Sequence, residues 1–196
     1  MTLTFRTLMG MALEEVLDDV ARLRIAVFRE FPYLYDGDAA YERRYLESYR
    51  DNPDAILIGA FDGDRLVGAS TGTALAQHDP AFVAPVEEAG LDVARVFYCA
   101  ESVLLRDYRG QGAGHHFFDL REAHARALGA DWSVFCAVER PPDHPACPAG
   151  YRSLEPFWRK RGYAPLDGAV ARFSWKEVGH ARETLHSLPF WFRSLS

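Results

Sequence analysis

Apolar residues recur along this chain in two periods, and the switches between them mark its elements. Leu3-Thr4-Phe5-Arg6 reads as a short first strand. Val16, Leu17, Val20, Leu23, Val27 and Phe28 then follow the 3.6-residue spacing of an amphipathic helix that ends near Phe31-Pro32. After a linker, Phe31 to Asp38, a second helix carries Tyr41, Tyr45, Leu46 and Tyr49 on one face, and Asn52-Pro53 closes it. Ala55 to Phe61 and Arg65 to Leu75 are apolar and β-prone, and Asp62-Gly63-Asp64 joins them as a hairpin.

Residues 77–94 mix prolines and acids. They predict a long surface connection with room for a short helix, a segment suited to a lid. Val96 to Leu105 is the next strand. The helix beyond it is expected to bury Ala113, Phe117, Leu120 and Leu128 and to stop at Gly129. Trp132 to Val138 is again a strand. Residues 139–150 hold four prolines and exclude regular structure. Ser153 caps a helix that accepts Pro156 in its first turn, carries Phe157-Trp158 and stops at Gly162. Val170 to Val178 and Leu188 to Leu195 close the chain as strands, with Pro189 restricted to a start or an edge. No internal repeat interrupts this order, and one α/β domain over residues 1–196 is expected.

Composition narrows the function. A formal charge of -6 argues against non-specific nucleic-acid binding. It suits a cationic substrate, and it also suits mere solubility. The three cysteines, Cys99, Cys136 and Cys147, have no metal-ligand spacing, so no metal is expected. No apolar run is long enough to span a membrane and no signal-peptide pattern opens the chain, so a cytoplasmic protein without membrane contact is expected. Phe190, Trp191 and Phe192 exceed what one strand face hides, which leaves a homodimer contact open.

The most informative stretch joins the Val96–Leu105 strand to the next helix: Arg109-Gly110-Gln111-Gly112-Ala113-Gly114. Its glycines let the backbone turn sharply and let a ligand approach. The first amides of the helix lack partners within it and, with the helix dipole, favour an anion. Arg109 adds a forked charge suited to phosphate. Neither the Walker pattern nor the dinucleotide fingerprint is present.

The loop does match Arg/Gln-x-x-Gly-x-Gly/Ala, preceded by Leu104-Leu105-Arg106-Asp107-Tyr108, and so resembles the coenzyme A pyrophosphate loop of the GNAT acyltransferases. Phe157-Trp158-Arg159-Lys160-Arg161-Gly162-Tyr163 resembles that family's late helix-to-strand motif, and the element order resembles its fold over essentially the whole chain. The resemblance implies a mixed, mostly antiparallel sheet of about seven strands, flanked by four helices and splayed around a cofactor cleft. It implies acetyl transfer from acetyl-CoA to a small-molecule or peptide amine by direct attack in a ternary complex. The alternative is an acyl-CoA sensor of the same fold that transfers nothing.

By the same resemblance, amides of Arg109 to Gly114 hold the pyrophosphate. The backbone of Val103, Leu104 and Leu105 bonds the pantetheine arm, with the Leu104 N–H facing the thioester oxygen. Trp158 stands where many members carry a tyrosine that protonates the leaving thiolate. An indole N–H cannot do that, so Trp158 is expected against the cofactor or the core, and Tyr151, Ser102, Tyr98 or water is the substitute acid. Glu101, an acid within an apolar strand, is the first candidate for the base that frees the amine, with a residue on the strand's solvent side or paired to an arginine as the competing reading. His144, in the proline-rich loop, is a second candidate. Phe31, Tyr33, Tyr35, Asp36 and Asp38 offer an aromatic and acidic acceptor pocket, or else a plug that closes the core. A hydrolase using Cys136 or Ser102 with His144 lacks a nucleophile-elbow pattern.

Overall fold

A computed structural model describes residues 2–196. Its centre is a seven-stranded sheet in the order β1-β2-β3-β4-β5-β7-β6. The strands are β1 (Thr4–Leu8), β2 (Ile56–Asp62), β3 (Arg65–Ala74), β4 (Val96–Leu104), β5 (Trp132–Cys136), β6 (Ala164–Lys176) and β7 (Glu183–Ser194). Every neighbouring pair is antiparallel except β4 and β5.

Helices cover both faces. On one lie α1 (Gly10–Glu14), α2 (Leu17–Phe28), α3 (Ala39–Arg50) and α4 (Pro80–Glu88); on the other lie α5 (Ala113–Ala127) and α6 (Glu155–Lys160). Helices α2 and α3 form for the reason their spacing predicts: Leu17, Val20, Ala21 and Leu46 meet β2 and β3 in one buried cluster. Asp38 caps α3 through the Tyr41 amide and Asp79 caps α4 through the Ala81 amide.

Two features open the sheet. The register between β3 and β4 shifts between Thr71 and Thr73, which puts an extra residue on β4 near Cys99 and Ala100. The parallel ladder between β4 and β5 has only three pairs, Val96↔Trp132, Phe97↔Ser133 and Tyr98↔Val134. Beyond Tyr98 the outer edge of β4 has no strand partner. A parallel pair that parts midway leaves a wedge lined by main-chain donors and acceptors.

Several expectations need correction. Six helices are described rather than four: α4 falls in the 77–94 connection, where the sequence leaves room for a short helix, and α1 is unexpected. Leu128 follows α5 and is 42% exposed rather than buried. Pro189 lies inside β7, between β5 and β6. The chain beyond β5 still pairs there, one-sidedly: the Ala137 N–H donates to the Pro189 carbonyl at 3.2 Å and the Glu139 N–H to the Ser187 carbonyl at 3.1 Å, so only the return bond from residue 189 is lost. Strands β6 and β7 begin earlier than expected; Pro165 and Gly168 mark a register shift that breaks the alternation of β6. Phe190 and Trp191 are buried and Phe192 packs on Trp132, so the chain itself covers the aromatics that suggested a dimer contact.

Candidate active site

The loop 109–114 forms the expected turn. Gly110 and Gly112 have φ of 76° and 87°, where a side chain is strained, and a Cβ at either would meet nothing within 4 Å. Gly112 stands at the start of α5 with no side-chain cap, and the first turn of the helix holds no acid. The leading amides therefore face open space, the condition for an anion site. Gln111 turns back to bond the Asp107 carbonyl. Phe157 of α6 packs where a side chain on Gly114 would stand, 3.2 Å from a Cβ there. Arg109 does not stand free: its Nε donates to the Leu104 carbonyl at 2.9 Å and its fork pairs with Glu30.

Strand parity sorts the backbone groups of β4. Leu105 donates its N–H to the Val67 carbonyl and accepts from the Tyr108 N–H, so neither group is free for a ligand. Val103 pairs with Ala69 and turns the same way as Leu105. Leu104 and Ser102 alternate with them and present their amides to the open edge. Of the three residues expected to bond an extended ligand, Leu104 is the one so placed; Leu105 and Val103 face β3.

Glu101 lies on the α2–α3 face of β4, ion-paired to Arg24, and its Oε2 accepts from the Tyr45 hydroxyl at 2.9 Å. Arg24 also pairs with Glu42, which is wholly buried. Burial opposes the charge of Arg24, but Glu101, Tyr45 and Glu42 outweigh it and hold the guanidinium more firmly protonated than usual. Burial and the neighbouring Glu101 push the Tyr45 phenol up. From the other face, Arg121 donates to the carbonyls of Thr71 and Glu101, at 3.2 and 3.0 Å, beside the register shift. Glu101 is thus held at its side chain from one face and at its backbone from the other.

Arg24, Glu42, Tyr45 and Glu101 line a cavity of about 880 Å³ whose inner end meets Tyr98, Ala100 and Cys136, where β4 and β5 part. Tyr33 and Tyr35 line it too. Burial raises both phenols. Asp36 reaches the cavity but is paired with Lys176 and Arg29, which lower its carboxyl below the usual range. Phe31 lies outside this space. It packs against Tyr151 and His144, with ring centroids 4.8 and 5.6 Å away, as an aromatic lip. His144 accepts the Ala146 N–H on its Nδ1. His144 and Tyr151 are not among the residues that line this cavity. Trp158, half-buried on α6, packs against Phe135 and Trp191 at the edge of the core. Cys136 bonds Tyr98, and burial pushes its thiol up to about 12, which removes it as a nucleophile. Among the described residues no group of three or more His, Cys, Asp or Glu is placed to hold a metal ion.

Sequence reasoning missed Arg24 and Glu42. Both carried a signal: each is a charge set into the apolar stripe of an amphipathic helix.

A sheet split between β4 and β5, with an uncapped helix start beside the free edge, is the architecture of an acyl-CoA-dependent transferase. The chain belongs to the acetyltransferase (GNAT) family, whose sequence model matches residues 20–163. Its backbone is similar to that of yncA from Salmonella typhimurium, a structure solved with its cofactor acetyl-CoA: 12% identity, TM-score 0.63, covering 100% of this chain and 95% of that one. It is also similar to an N-acetyltransferase from Staphylococcus aureus Mu50, with 14% identity, TM-score 0.61 and 100% of each chain covered. An aminoglycoside 6'-N-acetyltransferase complexed with coenzyme A gives 14% identity and TM-score 0.62, over 100% and 98% of the two chains. At these identities the likeness is one of fold. No curated protein sequence matches the chain. Among the described residues no helix is long and apolar enough to cross a membrane.

Proposed function

We propose that this chain transfers an acetyl group from acetyl-CoA to the nitrogen of an amine, by direct attack with both substrates bound. The observation that carries this reading is the unpaired edge of β4 from Ser102 to Leu104, set between the uncapped start of α5 and the inner end of the acidic cavity. The amides of Gly112, Ala113 and Gly114 suit a diphosphate, and the Leu104 and Ser102 amides suit the pantetheine arm as an added strand. Acetyl-CoA brings an activated thioester to that edge. The Leu104 N–H is the donor suited to the oxygen that gains charge as the amine attacks.

The acceptor enters from the opposite side, through the cavity between α3, α4 and β6. A lysine-like amine has a pKa of ~10.4, so freeing it at pH 7 costs about 4–5 kcal/mol. Glu101 is the carboxylate at the inner end and takes this proton, with Arg24 and Tyr45 fixing its position. No proton transfer is assigned to His144 or Tyr151. The coenzyme A thiol is acidic enough to leave without a strong acid, which accommodates Trp158 in the core.

Isothermal titration with acetyl-CoA, followed by thiol release across an amine panel, tests the proposal. Binding with release dependent on the amine is expected. Absence of acetyl-CoA binding overturns it, and binding without release from any amine makes the chain a sensor instead.

A further inference from the structure

The cavity has an uneven charge ledger. Six carboxylates line it (Asp36, Asp38, Glu42, Asp79, Glu101 and Glu183) against two cations, Arg24 and Lys176. Both cations are already occupied: Arg24 by Glu42 and Glu101, and Lys176 by Asp36. An acceptor with a carboxylate of its own finds no free cation here. The carboxylates, in contrast, have capacity left. Glu42 is wholly buried beside the Tyr35 phenol, and among the described residues its Oε1 has no hydrogen-bond partner although the neighbouring oxygen pairs with Arg24. A buried carboxylate oxygen without a donor of good geometry is costly, and a charged ammonium is a stronger partner for it than a phenol. At the exposed end, Asp38 and Asp79 each spend one oxygen on a helix start. Neither they nor Glu183 pairs with a Lys or Arg among the described residues.

Between these two acidic zones the walls are rings. Tyr33, Tyr98, Phe82, Phe173 and Trp175 line the space. Rings pack against methylene groups and attract cations over their faces. The neutral polar groups along the wall serve one another: Asn52 donates to Thr73 and Gln77, and Gln77 donates to Asp54. They leave few partners for a hydroxyl-rich molecule.

We infer that the acceptor is a linear aliphatic polyamine: at least two ammonium groups on an alkyl spacer, one read by Glu42 and Glu101 inside, another by Asp79 and Glu183 at the mouth. The inference rests on the acetyl-transfer reading for the fate of the inner amine, but binding tests it without acetyl-CoA. Lysine fails on its carboxylate, and a monoamine of similar length reaches only one acidic zone.

The full chain is titrated with spermidine, butylamine, lysine and an aminoglycoside, and the same four are assayed for thiol release with acetyl-CoA. Spermidine is expected to bind at least about tenfold more tightly than butylamine, with affinity falling as ionic strength rises. Replacing the mouth acids together, Glu183→Gln with Asp79→Ser, keeps a helix cap at residue 79. It is expected to raise the KM for spermidine about tenfold and leave that for butylamine unchanged. Glu42→Gln is expected to weaken spermidine similarly; should it fail to fold, the mouth variant still decides. Equal affinity for spermidine and butylamine, or tighter binding of lysine or the aminoglycoside, overturns the inference. Selective spermidine binding without thiol release preserves it and defeats the transfer reading. Thiol release to other amines without spermidine binding does the reverse.

Discussion

Arg121 reaches through the sheet layer from α5 to the main-chain carbonyl of Glu101, at 3.0 Å, while the side chain of Glu101 points to the other face and pairs with Arg24. Arg121 is 1% exposed, and the same nitrogen also donates to the Thr71 carbonyl. The extra residue on β4 disturbs the ladder here, and the guanidinium serves these two carbonyls at the disturbance. Arg121→Met keeps the length of the side chain and removes the donors. A loss of ~2 kcal/mol in denaturant unfolding is expected, from buried carbonyls left with poorer partners. A fall in kcat with acetyl-CoA affinity preserved is also expected, because the Glu101 carbonyl loses one of its two side-chain donors, the Ser70 hydroxyl remaining at 3.1 Å. Unchanged unfolding would mean that the carbonyls find other donors.

Glu101→Gln tests the proton acceptor itself. The amide retains the shape of the carboxylate and can still accept from Tyr45, but it cannot take a proton from an ammonium. Turnover is expected to fall by about 10²-fold or more, with acetyl-CoA affinity within a factor of about two. The remaining activity is expected to rise with pH, as the free amine becomes available without a base. Full turnover at neutral pH removes Glu101 from the mechanism.

Gly112→Ala examines the helix start without touching any charge. A Cβ there meets no atom within 4 Å, but φ of 87° is unfavourable for an L side chain. The expected cost is ~1 kcal/mol of stability. Acetyl-CoA affinity should fall about tenfold, because the amides that face the diphosphate shift with the turn. Calorimetry and chemical denaturation read the two effects separately. A stability loss with undiminished affinity shows that the amides do not hold the ligand.

Much of this was legible in the sequence, and the parts that were not share a cause. The loop 109–114 and the hairpin around Gly63 are local chemistry, where glycine at positive φ decides the backbone, and they stand where expected. The seven strands follow from period and length. The failures needed knowledge of the neighbour. Leu105 is apolar like Leu104, and only the pairing with β3 shows which backbone turns outward. The sequence places Trp158 against the cofactor or the core, and only Phe135 and Trp191 beside it show its contact with the core. Pro189 breaks a rule about central strands because its carbonyl still accepts from Ala137, so only one ladder bond is lost. Arg24 and Glu42 are the instructive pair. Each is a charge on a buried helix face, and two such faces turned toward each other cancel most of the penalty that made each look wrong alone.

His78 sets a pH limit. It stands between Phe82 and Tyr98, with ring centroids 5.0 and 4.8 Å away, and its Nδ1 has no partner. Burial lowers its pKa below the usual histidine value, against a weaker opposing pull from Glu101 and Asp79. His186, stacked on Trp175, is lowered by burial as well, with Arg140 adding to the effect and Glu177 opposing it. A histidine neutral in the folded state and free to charge in the unfolded state favours unfolding as protons are added. Above the unfolded value of ~6.5 neither state binds the proton and stability is full; below it, the unfolded chain binds first and stability declines toward the folded pKa. Unfolding followed from pH 7.5 down to about 5 should therefore show a falling free energy. His78→Gln, which cannot charge, should show a shallower fall while His186 supplies the remainder. His78 also lines the cavity, so a proton forced onto it adds positive charge beside the acceptor path. Spermidine affinity is therefore expected to weaken over the same interval in the native chain and less so in His78→Gln. An equal slope in both proteins would place the titration elsewhere and free His78 from either role.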